Sequence, residues 1–552
     1  MFNRKNKQGG TREESSTYAV FGLAWVWLLV LIAYPLVQIL VAAFFVNGSF
    51  SLSEFTSLFE TAYYRRVIAN SFRLAAIVAT FGTVIALIFA LAVTKVDIPG
   101  KKLFHIVALV PTISPPFAFG LAVIMLFGRQ GLITHEILGL ETGAIYGLKG
   151  MAVAQIFGFF PFAYLLLRGV LLGLNPALEE AASTLGANRF KTLMTVTLPL
   201  MVTGIASAFL LLFIYSMADL GNALLIGGNY TVVSSQIYLA IVGQFDFARG
   251  AALSVTILFP AVLLFIWQKR LEQRTTYAMV SGRPSGSSTS IGERGIVWAA
   301  WSFCALITFT IFAVYLTILA GASTRLWGVN YTPTLDHFRS VFGAGNLGLR
   351  ALQDTFFLAS IAAVIGGVLS LAIGYMVQRV PVRGRGMVDF LSMIPMAVPG
   401  VVIGIAFAIA FNKPPLIISG TALIIILLFI VRTMPFGLRM SVAAIGQIDV
   451  AIDEASLTLG ANRFQTFARI TAPLIRTSFV ASIIYMFTRN ITSLSAVIFV
   501  VSANWTLVTA AMLSEIETGR ISVASAFAVV LVVIVVVINI ILFRFIERQK
   551  TS

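Results

Sequence analysis

The chain is poor in the residues that most site chemistry needs. It has one cysteine, Cys304, and three histidines, His105, His135 and His337, among 552 residues. A lone thiol excludes a disulfide framework and a cluster of metal-bound thiolates. Histidines so far apart in sequence argue against a catalytic metal centre. No metal ligand and no catalytic residue is assigned. Charge is scarce as well, at 11% of residues, where a soluble domain carries about 25%. A phosphate-binding loop is also missing. The nearest stretch, GANRFKT at Gly186–Thr192, lacks the second glycine before Lys191 and follows no strand. What remains is 59% hydrophobic. A soluble protein so apolar would expose large adhesive patches, and the bilayer is the natural solvent for this chain.

The apolar residues fall into twelve runs, at 18–46, 74–94, 103–127, 151–171, 198–217, 250–267, 296–319, 356–377, 387–411, 416–438, 474–487 and 522–543. Most are long enough to cross a bilayer at about 1.5 Å per residue. The eleventh is short and must borrow flanking residues. The first is too long for a signal peptide and no small-residue cleavage site follows it closely, so it reads as the first membrane helix. An even number of spans puts both termini on one side. Segments 1–17, 95–102, 168–192, 268–294, 378–385, 439–476 and 544–550 hold 25 of the 38 Lys and Arg residues. By the positive-inside tendency these segments and both termini are cytoplasmic. The net charge of +16 is therefore topological, and a nucleic-acid partner is not expected.

Compared with itself, the chain is a duplication. Gly100, Pro111, Pro115 and Gly120 recur 284 residues later as Gly384, Pro395, Pro399 and Gly404. Pro161, Glu180, Gly186 and Pro199 recur 274 residues later as Pro435, Glu454, Gly460 and Pro473. The offset falls by ten, so the first half carries about ten extra residues between Gly120 and Pro161. The expected fold is an all-α membrane protein of about twelve transmembrane helices, as two parallel six-helix repeats. The expected organisation is a cytoplasmic tail at 1–17, a first repeat at 18–280, a cytoplasmic linker at 281–295 and a second repeat at 296–552. The linker rests on the Ser- and Gly-rich stretch SGRPSGSSTSIGERG.

One polar element is repeated almost unchanged. EEAASTLGANRFKTLMTVTLPL starts at Glu179, and DEASLTLGANRFQTFARITAPL starts at Asp453. They share the heptapeptide TLGANRF. Asn175 and Asp449 are placed to cap a short helix, with Pro176 at its first position in the first copy. Gly186 and Gly460 permit a turn that a Cβ would resist. A second short amphipathic stretch follows, at Phe190–Val196 and Phe464–Ile470, and Pro199 and Pro473 close the element. So small an element needs a surface to pack on. The plain alternative is a loop lying on lipid headgroups. Two near-identical copies favour docking on a partner that is itself a dimer.

This pattern resembles the hallmark of permease subunits of binding-protein-dependent ABC importers, in the fused twelve-span form. Glu180, Ala181, Ala182, Gly186, Leu198 and Pro199 match in the first copy, with Val196 for Ile. Glu454, Ala455, Gly460, Ile470 and Pro473 match in the second, with Ser456 for Ala and Ala472 for Leu. The resemblance implies coupling helices seated on a homodimeric ATPase of another chain, which uses ATP and Mg; this chain binds no cofactor. It also implies a periplasmic or lipid-anchored solute-binding protein and a place in the bacterial inner membrane.

Met217–Tyr230 and Ser493–Trp505 resemble the ferric-iron-type permeases within that family. Both stretches follow the fifth span of their half and are broken by polar residues, a pattern tolerated at membrane depth only where it is buried or lines a wet cavity. Solute-path candidates are Asp219, Asn222, Arg432, Arg489, Asn490 and Ser493. Arg432 attracts an anionic solute, snorkels, or pairs with a carboxylate such as Asp354. The expected solute is ferric iron, with a phosphorylated sugar or a phosphonate as the alternative. An ATPase-independent secondary transporter or channel is the rival class; a relay of intramembrane carboxylates would favour it, and the sequence has few. A membrane-embedded enzyme would call for paired carboxylates or clustered histidines within spans, and the sequence shows neither.

Overall fold

The computed structural model describes residues 21–46, 48–115, 117–140, 142–279, 291–343, 347–380 and 383–551. The tail at 1–17 and linker residues 281–290 lie outside them. Among the described residues the regular elements are helices apart from two short strand pairs, Phe45–Val46 with Ser49–Phe50 and Thr324–Leu326 with Asn330–Pro333. Ten helices are long and apolar enough to cross a membrane, and two bent helix pairs raise the number to twelve. They include Phe21–Phe44, Ala62–Lys95, Leu148–Gly173, Arg189–Ala218, Arg294–Ala322, Leu347–Arg379, Ala422–Gly446 and Ile521–Ile541.

The sharpest bend falls at a proline that sequence alone leaves inside a span. The ninth run is two helices, Arg385–Ala397 and Gly400–Ala410, turned by 108°. Pro399 starts the second of them and has no N–H to continue the first. The third run is likewise broken: the helix Lys101–Leu109 passes through a short 3₁₀ turn at Val110–Thr112 before Ala118–Phe127 begins. The eleventh run borrows residues as expected, joining Arg463–Leu474 to Arg476–Ile491 with a 76° bend. The connection after the third span occupies 128–147 in the first half, and its counterpart occupies only 411–421. This is where the offset between the halves changes.

The described chain forms two compact units. One holds the described residues among 43–349 and 509–532. In it the helix Ala62–Lys95 packs on Leu148–Gly173 and on Leu198–Ala218. Phe89 meets Tyr164 edge to face, with ring centroids 5.1 Å apart, a favoured quadrupole arrangement. The other unit holds the described residues among 21–42, 350–508 and 533–551. There Leu371, Ala444, Ile445 and Ile475 form a buried cluster. The units do not coincide with the sequence halves. The first helix of the chain packs with second-half residues: Tyr34 donates to the Ala410 carbonyl at 3.3 Å. The helix Arg294–Ala322, which opens the second half, packs with first-half residues, with the Tyr315 and Ser114 hydroxyls 2.7 Å apart.

Candidate functional site

In the first copy of the repeated element, Pro176–Thr184 is a helix whose cap is Asn175, its Oδ1 accepting from the Ala177 N–H at 3.1 Å. In the second copy, Val450–Thr458 is the helix and Asp449 accepts from the Ala451 N–H at 3.0 Å. Each cap satisfies a donor that the first turn leaves open. Both helices end in the same way. Ala187 N–H returns to the Ala182 carbonyl at 3.0 Å, and Ala461 N–H to the Ser456 carbonyl at 3.1 Å. This closure puts the intervening glycine in the left-handed region, with φ +83° at Gly186 and +87° at Gly460. Space is not the reason for glycine, since a Cβ at either position would meet nothing within 4 Å. Backbone conformation is.

Asn188 and Asn462 then cap the next helices, accepting from the Lys191 and Gln465 N–H groups at 2.8 and 2.7 Å. Here the structure corrects the expectation that a separate amphipathic stretch ends at proline. Arg189–Ala218 is one continuous helix through Pro199. Residues Leu193–Thr197 are π-helical, so the Leu198 N–H reaches back to the Leu193 carbonyl. The wider turn lets the helix pass a proline that cannot donate. In the second copy the π turn is Phe467–Thr471.

The backbone thus explains Gly and Asn of TLGANRF. It does not explain Leu and Phe. Leu185 and Leu459 are each 88% exposed, and Phe190 and Phe464 are 64% and 76% exposed. Large apolar side chains presented identically on two polar elbows are what a docking partner covers. Glu180, Ala181, Glu454 and Ala455 are exposed on the elbow helices, whereas Ala182 is half-buried. The Ser at position 456 is buried and its hydroxyl lies 3.0 Å from that of Thr466, which accounts for the departure from alanine there.

Sequence reading missed the acidic residue in front of each motif glutamate. Glu179 is buried and meets Lys95 Nζ at 2.8 Å, and its other oxygen accepts from the Thr197 hydroxyl at 2.8 Å. In the second copy Asp453 lies 3.3 Å from Arg379 Nε and 3.4 Å from the Thr471 hydroxyl. The Arg379–Asp453 contact is an ion pair by distance, but its Nε–H is not aligned for a hydrogen bond. The signal was present: charge sign is kept at both positions across offsets of 284 and 274.

The solute-path candidates lie in two places. Asp219 and Asn222 are buried together, the Asn222 amide donating to the Asp219 carboxylate at 2.7 Å and the Gln155 amide donating to it at 2.8 Å. The Ser234 hydroxyl holds the Asp219 carbonyl at 2.8 Å. These bonds brace the break between Leu198–Ala218 and the short helix Gly221–Ile226. In the other unit, Arg432 donates to the Val398 carbonyl at 3.3 Å, at the 108° bend. Asp354 instead faces Arg350, at 3.9 Å, and the Thr506 N–H, at 3.2 Å. Arg489 and Ser493 are half-buried and Asn490 is buried.

Comparison with known proteins agrees with this architecture. Residues 82–277 and 366–550 each match the family of binding-protein-dependent transport system inner membrane components. The chain is 34% identical over 509 residues to a ferric transport system permease protein of Actinobacillus pleuropneumoniae, covering 91% of this chain and 74% of that one. It is also 34% identical over 481 residues to a putative ferric transport system permease protein of Haemophilus influenzae, covering 86% and 76%. Among solved structures, a bacterial ABC transporter that imports alginate is 19% identical, with a TM-score of 0.41 over 50% of this chain and 100% of that one. Two family domains in one apolar, helical chain make this protein a duplicated inner-membrane permease of the binding-protein-dependent ABC importers.

Proposed function

We propose that the permease passes ferric iron, handed over by a periplasmic or lipid-anchored binding protein, to the bacterial cytoplasm. The observation that carries this reading is the 34% identity to a ferric transport permease across 91% of the chain. Physical chemistry supports the division of labour. Ferric iron demands hard anionic oxygen ligands. A binding protein can hold it tightly, while a path must release what it admits.

In this reading the energy comes from a separate homodimeric ATPase, which consumes ATP and Mg, and the chain itself is no enzyme and binds no cofactor. The two elbows are its cytoplasmic coupling helices, and Leu185, Leu459, Phe190 and Phe464 are their contact points. Both termini and the linker 281–295 between the repeats 18–280 and 296–552 are cytoplasmic. With Cys304 replaced, a cysteine placed within Ser285–Ser288 is expected to react with an impermeant thiol reagent only in broken spheroplasts. Labelling of intact spheroplasts refutes the orientation.

The solute is tested in proteoliposomes holding the permease, its ATPase and its loaded binding protein. Uptake of radiolabelled ferric iron that requires ATP and the binding protein is expected. Uptake driven by an ion gradient without ATP would favour a secondary transporter. If a hexose phosphate or phosphonate binds the partner protein and iron does not, and Arg432→Ala or Arg489→Ala selectively lowers its uptake, the iron assignment is wrong.

A further inference from the structure

Lys95 and Arg379 are the last residues of the helices Ala62–Lys95 and Leu347–Arg379; Lys95 is buried and Arg379 half-buried, each against a buried acidic partner. Glu179 sits in the first turn of Pro176–Thr184, and Asp453 in the first turn of Val450–Thr458. Thr197 and Thr471 sit in the π turns that lead toward the fifth span of each half. One carboxylate therefore joins three elements: the end of the second span, the elbow helix and the entry to the fifth span. Arg379 adds a fourth, donating to the Ile445 carbonyl at 2.9 Å at the end of Ala422–Gly446. The arrangement occurs twice, with different residues of the same charge. A buried ion pair contributes little net stability compared with an apolar contact of the same shape. Separating either pair would leave a buried charge uncompensated, which suits a joint that must keep its geometry while the parts it connects move.

We infer that Glu179 and Asp453 are positioning residues, which lock each elbow to the second and fifth spans so that a displacement of the elbow moves those helices as one body. The inference rests on the proposed docking of an ATPase at the elbows. The two can fail separately: absence of ATPase binding shows in the unaltered permease, whereas failure of the joint shows only in variants.

The test measures ATP hydrolysed per iron imported, in proteoliposomes of the full permease with its ATPase and loaded binding protein. Glu179→Gln with Asp453→Asn is expected to keep the ATPase bound and hydrolysing while the ratio rises about tenfold, within the range by which residues between two sites alter their coupling. Lys95→Arg keeps the charge and is expected to hold the unaltered ratio. A purely structural role would lower the yield of folded permease and leave the ratio per surviving molecule unchanged, and that result overturns the inference. If the neutral pair does not accumulate, Thr197→Val with Thr471→Val removes only the hydroxyl bonds to the carboxylates. The ratio is then expected to rise about threefold, and an unchanged ratio again overturns the joint.

Discussion

Reversing the charge at both elbows, Glu180→Lys with Glu454→Lys, is expected to abolish uptake while leaving the permease in the membrane. Both residues are exposed on helices whose internal hydrogen bonds do not involve their carboxylates in the described contacts. The fold therefore has little reason to suffer, and surface substitutions of this kind usually change stability by about 0.5 kcal/mol or less. The proposed docking on an ATPase has every reason to suffer. Leu185 and Leu459 stand 88% exposed on the same elbows, and burying such a leucine contributes about 1.5–3 kcal/mol. A lysine in place of each glutamate reverses the charge that the elbow presents to the proposed ATPase. A loss of about 2 kcal/mol per elbow, the threshold for a central contact, corresponds to roughly thirtyfold in affinity. Two elbows on one dimer compound it to about a thousandfold. Co-purification of the ATPase and ATP-dependent uptake are the measurements. Leu185→Asp with Leu459→Asp should give the same result by removing the apolar contact itself. Undiminished co-purification and uptake in either double variant would sink the docking role of the elbows.

Gly404→Ala is expected to give the second large effect, this time on folding. A Cβ at Gly404 would lie 2.2 Å from the Ala496 carbonyl oxygen and 2.9 Å from the Phe499 ring. The obstacle is backbone, and no rotamer change relieves it. Overpacking a filled interior costs about 1–3 kcal/mol and occasionally more. The first half repeats the design: a Cβ at Gly120 would come within 2.4 Å of Asn222 Oδ1. In both halves the third-span glycine lets a helix press against the break that follows the fifth span. Loss of monodisperse protein on size exclusion, with a lowered unfolding midpoint and failed uptake, is the expected readout for Gly404→Ala. Gly169 is the control, since a Cβ there would meet nothing within 4 Å. Gly169→Ala in the helix interior should be neutral or stabilising by roughly 0.5–1 kcal/mol. An unfolding midpoint for Gly404→Ala equal to that of the unaltered permease would show that the contact carries no load.

Much of this was legible from residue order, because it depends on neighbours in sequence. Apolar runs near bilayer length reveal spans whatever they pack against. The caps at Asn175 and Asp449 and the left-handed glycines at 186 and 460 are settled within five or six residues. Duplication was legible because motif residues recur at constant offsets. The solute-path candidates show the limit. Sequence marks Asp219 as costly in an apolar stretch, but its braces, Gln155 and Ser234, lie 64 and 15 residues away.

The sequence by itself determined a twelve-run, duplicated membrane chain with two capped polar elbows and the family to which they belong. Tertiary structure alone decided which helices share a unit, so that the opening helix of each half packs with residues of the other. It decided the 108° turn at Pro399, where a missing N–H becomes a bend only if neighbouring helices fill the space it opens. It also decided that Glu179 faces Lys95, 84 residues earlier in the chain. A charged side chain in an apolar setting advertises its need for a partner, but the partner is chosen by how distant helices pack, and that geometry is not written in any local stretch of residues.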